Sequence, residues 1–244
     1  MNEKYNTFLQ GEHLVSEFPL LLLHGALGTQ NQFDELAGNL TDDYTVHRFT
    51  FEGHGDRPPA HDQFRNEHFV ANVLTYLDVH NISQTDIFGY SMGGYVGLTL
   101  ASAHPGRVNR IFTLGTELLW TPERAARDVK MLDADKIAEK VPAFVHTLES
   151  RHTAFGWRNV LAATVEMLND LGANPRLTEE TFQILPHRIR LGVGDQDSAA
   201  GVEDTVGVFR LLQRGELQVF PSTPHPFERV EVGMLMGAIK HFFA

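Results

Sequence analysis

Gly89-Tyr90-Ser91-Met92-Gly93 sets a serine between glycines two residues before and two residues after it, and Gly94 follows at once. A serine hydroxyl is a weak nucleophile at neutral pH. It needs a base within hydrogen-bond reach and an acid that orients the base. Two later stretches supply those groups, Gly194-Asp195-Gln196-Asp197 and Pro224-His225-Pro226. Taken singly, each has an ordinary explanation: a glycine-rich turn, an aspartate capping a helix, a histidine on a surface loop. Taken together, in the order Ser91, Asp197, His225 and each behind its own strand, they point to acyl transfer through a covalent serine intermediate.

That chemistry also needs donors for the negative charge that develops on the carbonyl oxygen. The Met92 N–H opens the helix expected after Ser91, where free amides and the helix dipole favour an anion. His24-Gly25-Ala26-Leu27-Gly28 follows the first buried strand, so Ala26 is assigned as the second donor, with Leu27 as the fallback.

The elements that would position these groups are readable from the apolar pattern. Strands are expected at Pro19–Leu23, Tyr44–Phe51, Asp86–Phe88, Arg110–Leu114, Arg188–Val193 and Glu216–Phe220. Helical spacing marks Asn31–Leu40, the stripe Phe69, Val73, Leu74, Tyr76 and Leu77, then Met92–His104, Val202–Leu212 and Val230–Phe243. Strands and helices in alternation predict a parallel sheet covered on both faces. From Glu117 to Leu185 the alternation lapses into helical stretches, which predicts a helical insert between two sheet strands.

With LLLLHGALG (20–28), FEGHGDRP (51–58), GYSMGG (89–94), GDQD (194–197) and PHP (224–226), the chain resembles the α/β-hydrolase superfamily of the type with a helical cap. The resemblance implies an α/β-hydrolase fold, a mostly parallel sheet flanked by helices. Its core would span 1–116 and 186–244, and its cap or lid 117–185. It makes Asp197, the last residue of G-x-x-D, the acid in preference to Asp195. Glu117 occupies the place some members use instead. The implied activity is that of a serine esterase cleaving a small-molecule acyl substrate, with no cofactor and no metal. Two alternatives share the triad: a cofactor-free lyase or carbon–carbon bond hydrolase, and a small-molecule receptor. The lyases carry an arginine directly after the paired glycines, where this chain has Tyr95.

For the pocket, Leu27 and Tyr90 flank the candidate site. The densest polar-aromatic stretch of the insert, around His152, Phe155, Trp157 and Arg158, is expected to line it or to pack the insert onto the sheet. His54 is expected at the rim, and Arg57 beside a carboxylate or the insert.

Composition sets the outer bounds. Twenty basic against 31 acidic residues give a net charge of −11, unsuited to sequence-independent nucleic-acid binding. The chain has no cysteine, so disulfides, thiol catalysis and zinc–thiolate sites are excluded. Its 13 histidines are scattered and form no HExxH pair. Phe18–Leu23 is far too short to insert in a membrane, and MNEKYNTFLQ does not read as a signal peptide, so a cytoplasmic location is expected. The oligomeric state is not encoded in any recognisable pattern.

Overall fold

The computed structural model describes residues 16–244, and the reading of the first ten residues as lacking a signal peptide lies outside them. Six strands, β1 (Leu20–Leu23), β2 (Val46–Phe49), β3 (Thr85–Tyr90), β4 (Val108–Leu114), β5 (Arg188–Gly194) and β6 (Gly215–Phe220), form one sheet in the order β2-β1-β3-β4-β5-β6. Every pairing is parallel. β1, β3 and β5 are buried along almost their whole length, as strands covered on both faces must be.

The two-residue alternation of side chains divides the core into two layers. Leu21, Leu23, Ile87, Ile111, Ile189 and Leu191 point to one face, where they meet Val73 and Leu77 of α2 (Asn66–Val79) and Val96 and Leu100 of α3 (Met92–Ala103). Leu20, Leu22, Phe88, Phe112 and Phe220 point to the other. There they pack on Leu36 of α1 (Asp34–Gly38) and on Leu235, Ile239 and Phe242 of α10 (Val232–Phe243). The stretch expected as one helix over 31–40 divides into a short 3₁₀ turn, Gln30–Phe33, followed by α1.

Between β4 and β5 the described chain is helical: α4 (Pro122–Val129), α5 (Ala134–Lys140), α6 (Pro142–Arg151), α7 (Trp157–Ala173) and α8 (Glu179–Ile184). Side-chain caps start several of these. Thr121 accepts from the Arg124 N–H, Asp133 from the Asp135 and Lys136 N–H groups, and Thr178 forms a reciprocal box with Thr181. α9 (Val202–Phe209) then returns the chain from β5 to β6. Among the described residues no helix is long and apolar enough to cross a membrane.

Register decides what meets at the sheet's C-terminal edge. Leu23 pairs with Gly89, Leu114 with Gly192, and Gly194 with Phe220. The loops leaving β1, β3, β4, β5 and β6 therefore end at one level, the edge where parallel α/β sheets place their sites.

Candidate active site

Ser91 occupies the step from β3 to α3 with φ 51° and ψ −119°, a conformation that L side chains rarely adopt. Such backbone costs on the order of 1–3 kcal/mol and persists where the surroundings enforce it. Here the enforcement is close packing. A Cβ on Gly89 would lie 2.5 Å from the Gly94 Cα, and one on Gly93 would lie 2.2 Å from the Leu23 carbonyl oxygen. The Ser91 N–H donates to the Leu114 carbonyl (2.8 Å), and Thr116 Oγ1 donates to the Ser91 carbonyl (3.0 Å).

The structure brings the three sequence-predicted groups together. Ser91 Oγ lies 3.2 Å from His225 Nε2, and His225 Nδ1 lies 3.0 and 2.9 Å from the two carboxylate oxygens of Asp197. The Asp197 carboxylate is 3% exposed and the His225 ring 29%, so the acid is sealed while the base is reachable. Asp197 Oδ1 also accepts the N–H groups of Ala199 and Ala200, each at 2.9 Å. Asp195 faces away and accepts the Thr223 N–H (3.1 Å), which ties the GDQD turn to the loop bearing His225. Glu117 is held by Arg124 (2.5 Å) and Arg127 (3.0 Å) of α4, and burial raises its pKa. Neither carboxylate is hydrogen-bonded to His225, whose Nδ1 is paired with Asp197.

A cavity of about 210 Å³ opens on Ser91 and His225. Ala26 and Met92, the expected oxyanion donors, are both part of its wall. A Cβ on Gly25 would come 3.2 Å from the Ser91 Cβ, so the segment after β1 passes directly against the serine. Most of the remaining wall is apolar: Trp120, then Met131 and Leu132 beyond α4, and Met167, Leu168 and Leu171 of α7.

Of the two roles expected for the insert's polar-aromatic stretch, lining the cavity is corrected and packing is what the structure gives. His152 is 1% exposed and lies outside the cavity wall. Its Nδ1 accepts the Gly55 N–H (3.0 Å), and its Nε2 donates to the Leu27 carbonyl (3.0 Å). Trp157 packs with Ile137, Leu148 and Leu161 inside the insert, and Arg158 lies over its ring while pairing with Asp135. Phe155 meets Phe64, on the segment leading into α2. None of these three belongs to the wall either. Leu27, with φ 60°, turns its carbonyl to Arg151 Nη1 (2.8 Å) and His152, and so is held by the insert and does not line the cavity. Tyr90 sits beneath the site. Its hydroxyl donates to the His225 carbonyl (2.6 Å), and burial raises its pKa.

His54 is fully buried, stacked on Phe64, and not at the rim; burial brings its pKa down to about 3. Arg57 donates to the Thr50 carbonyl (2.7 Å) rather than pairing with an acid. Among the described residues one group gathers metal-ligand atoms within 4.8 Å of one another, Glu52, His61 and His68. His61 already hydrogen-bonds Glu52 (2.8 Å), and none of the three lines the cavity.

Sequence reasoning missed Gly115 and Asn66. Gly115 has φ +61°, and a Cβ there would lie 2.9 Å from Asp197 Oδ2. Its only sequence signal is a glycine directly after β4. Asn66, at the start of α2, carries no signal that distinguishes it from a helix-opening polar residue.

The sequence profile of the family described as alpha/beta hydrolase fold matches residues 19–172. The chain is 38% identical over 191 residues to 2-hydroxymuconate semialdehyde hydrolase of Pseudomonas sp. (strain CF600), covering 71% of this chain and 66% of that one. It is 34% identical over 90 residues to pimeloyl-[acyl-carrier protein] methyl ester esterase of Neisseria meningitidis (serogroup C), covering 37% and 33%. The alignments thus span from a third to two thirds of the length of these curated relatives. Among solved structures, a hydrolase from Pseudomonas aeruginosa PA01 superposes with a TM-score of 0.77 at 19% identity, covering 93% of this chain and 91% of that chain. With five parallel strand pairings, two helical layers and an insert between β4 and β5 already in place, the chain belongs to the alpha/beta hydrolase family.

Proposed function

We propose that the protein is a serine hydrolase that cleaves an ester or related acyl bond of a small molecule. The observation that carries this reading is the continuous contact from Ser91 Oγ through the His225 ring to Asp197, opening on an apolar cavity. His225 Nε2 takes the Ser91 proton as Oγ attacks the carbonyl, and the same nitrogen returns it to the leaving group. A water then enters, His225 deprotonates it, and the acyl group leaves as the acid. Asp197 holds the Nδ1–H tautomer and offsets the charge of the imidazolium. The N–H groups of Ala26 and Met92 bind the oxyanion. The helical insert serves as the cap, contributing Met131, Leu132 and the α7 residues to the acyl pocket.

Carbon–carbon bond hydrolysis is the second reading, favoured by the likeness to 2-hydroxymuconate semialdehyde hydrolase. A muconate is an anion, whereas the described cavity wall holds Glu117 and Asp128 and no lysine or arginine. That charge pattern supports the neutral acyl substrate.

Labelling with a fluorophosphonate, followed by mass identification of the modified peptide, tests the proposal. Rapid adduct formation at Ser91, abolished in Ser91→Ala, is the expected result. A folded protein that forms no adduct would overturn the assignment of Ser91 as nucleophile.

A further inference from the structure

Glu52, in the loop after β2, is a buried carboxylate without a permanent countercharge. Its side chain is 2% exposed, and its ion-pair partners among the described residues are two histidines and no lysine or arginine. His61 Nδ1 lies 2.8 Å from Glu52 Oε1 and His68 Nδ1 4.0 Å from the same oxygen, and each ring brings a positive charge only when protonated. Asn72 pins the glutamate from α2. Its Oδ1 accepts the Glu52 N–H (2.9 Å), and its Nδ2 donates to Oε2 (3.4 Å). His68 stands one helical turn before Asn72, so both reach the same loop from one face of α2.

The two imidazoles stack, with ring centroids 3.7 Å apart and planes 16° from parallel. One ligand atom from each of Glu52, His61 and His68 falls within 4.8 Å of the other two. Buried charges are paired or coordinate metals. Pairing through protons would set two cationic rings at stacking distance beside a single carboxylate. A divalent ion serves all three groups at once: it offsets the carboxylate and takes the lone pairs of neutral imidazoles. Two nitrogens and one oxygen suit zinc and its first-row neighbours, whereas calcium and magnesium take oxygen shells.

Ligand atoms around a tetrahedral zinc ion stand about 3.3 Å apart at bond lengths of about 2.0–2.1 Å. The histidines supply the adjustment. Their side chains are 45% and 31% exposed, while Glu52 is held by Asn72. Binding through Nδ1 exchanges the His61 bond to Glu52, and the His68 bond to the Gln63 carbonyl (3.1 Å), for bonds to the ion. Water completes the shell from the exposed side.

We propose that Glu52, His61 and His68 form a binding site for a divalent transition-metal ion of the zinc class, which ties the loop after β2 to the start of α2. None of the three lines the cavity at Ser91, so the ion braces the scaffold and takes no part in acyl transfer.

The probe is zinc alone, titrated at pH 7.5 into the untagged full-length protein after dialysis against EDTA, and followed by calorimetry and thermal unfolding. Saturable binding of one ion per chain and a raised unfolding midpoint are expected, with neither effect from calcium or magnesium at the same concentration. Glu52→Gln keeps the side chain's shape and removes its charge, and it should weaken zinc binding at least about tenfold. His61→Ala and His68→Ala should each do the same. His61 is an exposed ring, so its removal keeps the test intact if Glu52→Gln fails to fold. Absence of saturable zinc binding overturns the site. So does zinc binding that is unchanged in the His61→Ala/His68→Ala double variant, which would place the ion on other histidines of the chain.

Discussion

His152 Nε2 donates to the Leu27 carbonyl at 3.0 Å, while Nδ1 of the same ring accepts the Gly55 N–H. A single imidazole at the end of α6 therefore fixes the loop after β1 and the loop after β2 to the insert. Arg151, its neighbour, reinforces the hold on the same carbonyl at 2.8 Å. Leu27 has φ 60°, a backbone state that a leucine keeps only under such restraint. The residue before it is Ala26, the proposed oxyanion donor. His152→Phe fills the space and removes both hydrogen bonds. It should lower kcat for a short p-nitrophenyl ester by about 10²-fold, the scale of a misplaced catalytic group, with a smaller change in KM. An unchanged kcat in a folded variant would show that the loop holds its shape without the insert.

Asp197 and Asp195 are two residues apart and face different partners, which separates their roles in one experiment. Asp197→Asn should cost about 10⁴-fold in kcat, because an amide no longer fixes the His225 tautomer. Asp195→Asn keeps an acceptor toward the Thr223 N–H and should stay within about tenfold of wild type. The reverse pattern, read by steady-state turnover, would transfer the acid role to Asp195.

Gly115 shows how the site depends on the absence of a side chain. Its φ of +61° strains any other residue, and an added Cβ would lie 2.9 Å from Asp197 Oδ2 and 3.5 Å from His225 Nδ1. Gly115→Ala should reduce turnover by at least about tenfold by displacing the acid–base pair. Gly106 is a control, since a Cβ there meets nothing within 4 Å. Equal activity of Gly115→Ala and Gly106→Ala would refute the steric argument.

The reach of sequence reasoning follows from what each residue does. Buried strands betray themselves by apolar runs, and Ser91, Asp197 and His225 by chemistry that only certain side chains perform. The wall of the cavity has no such signature. Met167 and Leu171 share helical spacing with core residues of the same helix, such as Val160, so spacing cannot say which side faces a void. His152 and Trp157 look like ligand-binding residues by type. Yet both are consumed by the packing of the insert, the first by backbone groups of two loops and the second by a local apolar cluster. Asn66 reads as a helix-opening polar residue until its place in the cavity wall is seen.

The same histidine belongs to a group whose protonation opposes folding. His24, His54 and His152 are buried, with His54 ring centroids 5.2 Å from His24 and 5.7 Å from His152. Burial, chiefly, holds all three below the ordinary 6.5, His54 at about 3, His152 at about 4 and His24 well below it. The geometry explains why a second proton is unwelcome. His24 Nδ1 donates to the Gly25 carbonyl, while its Nε2 accepts the Phe51 N–H, so an added proton would confront a donor. In the unfolded chain these rings titrate near 6.5, so below that pH the unfolded state binds more protons than the native state. Their contribution is complete above pH 6.5 and falls as the pH drops toward about 4 and then 3. Each imidazole adds a slope of up to about 1.4 kcal/mol per pH unit, or about 4 for the three together. Asp86 and Glu117, raised by burial, act in the opposite sense at the acid end of this window. Urea unfolding at pH 7.5, 6.0 and 5.0 should show stability falling steeply over the lower interval. His54→Phe, which keeps a ring against Phe64, should reduce that slope by about a third. A stability that is flat from pH 7.5 to 5.0 would mean that these rings charge freely in the native state.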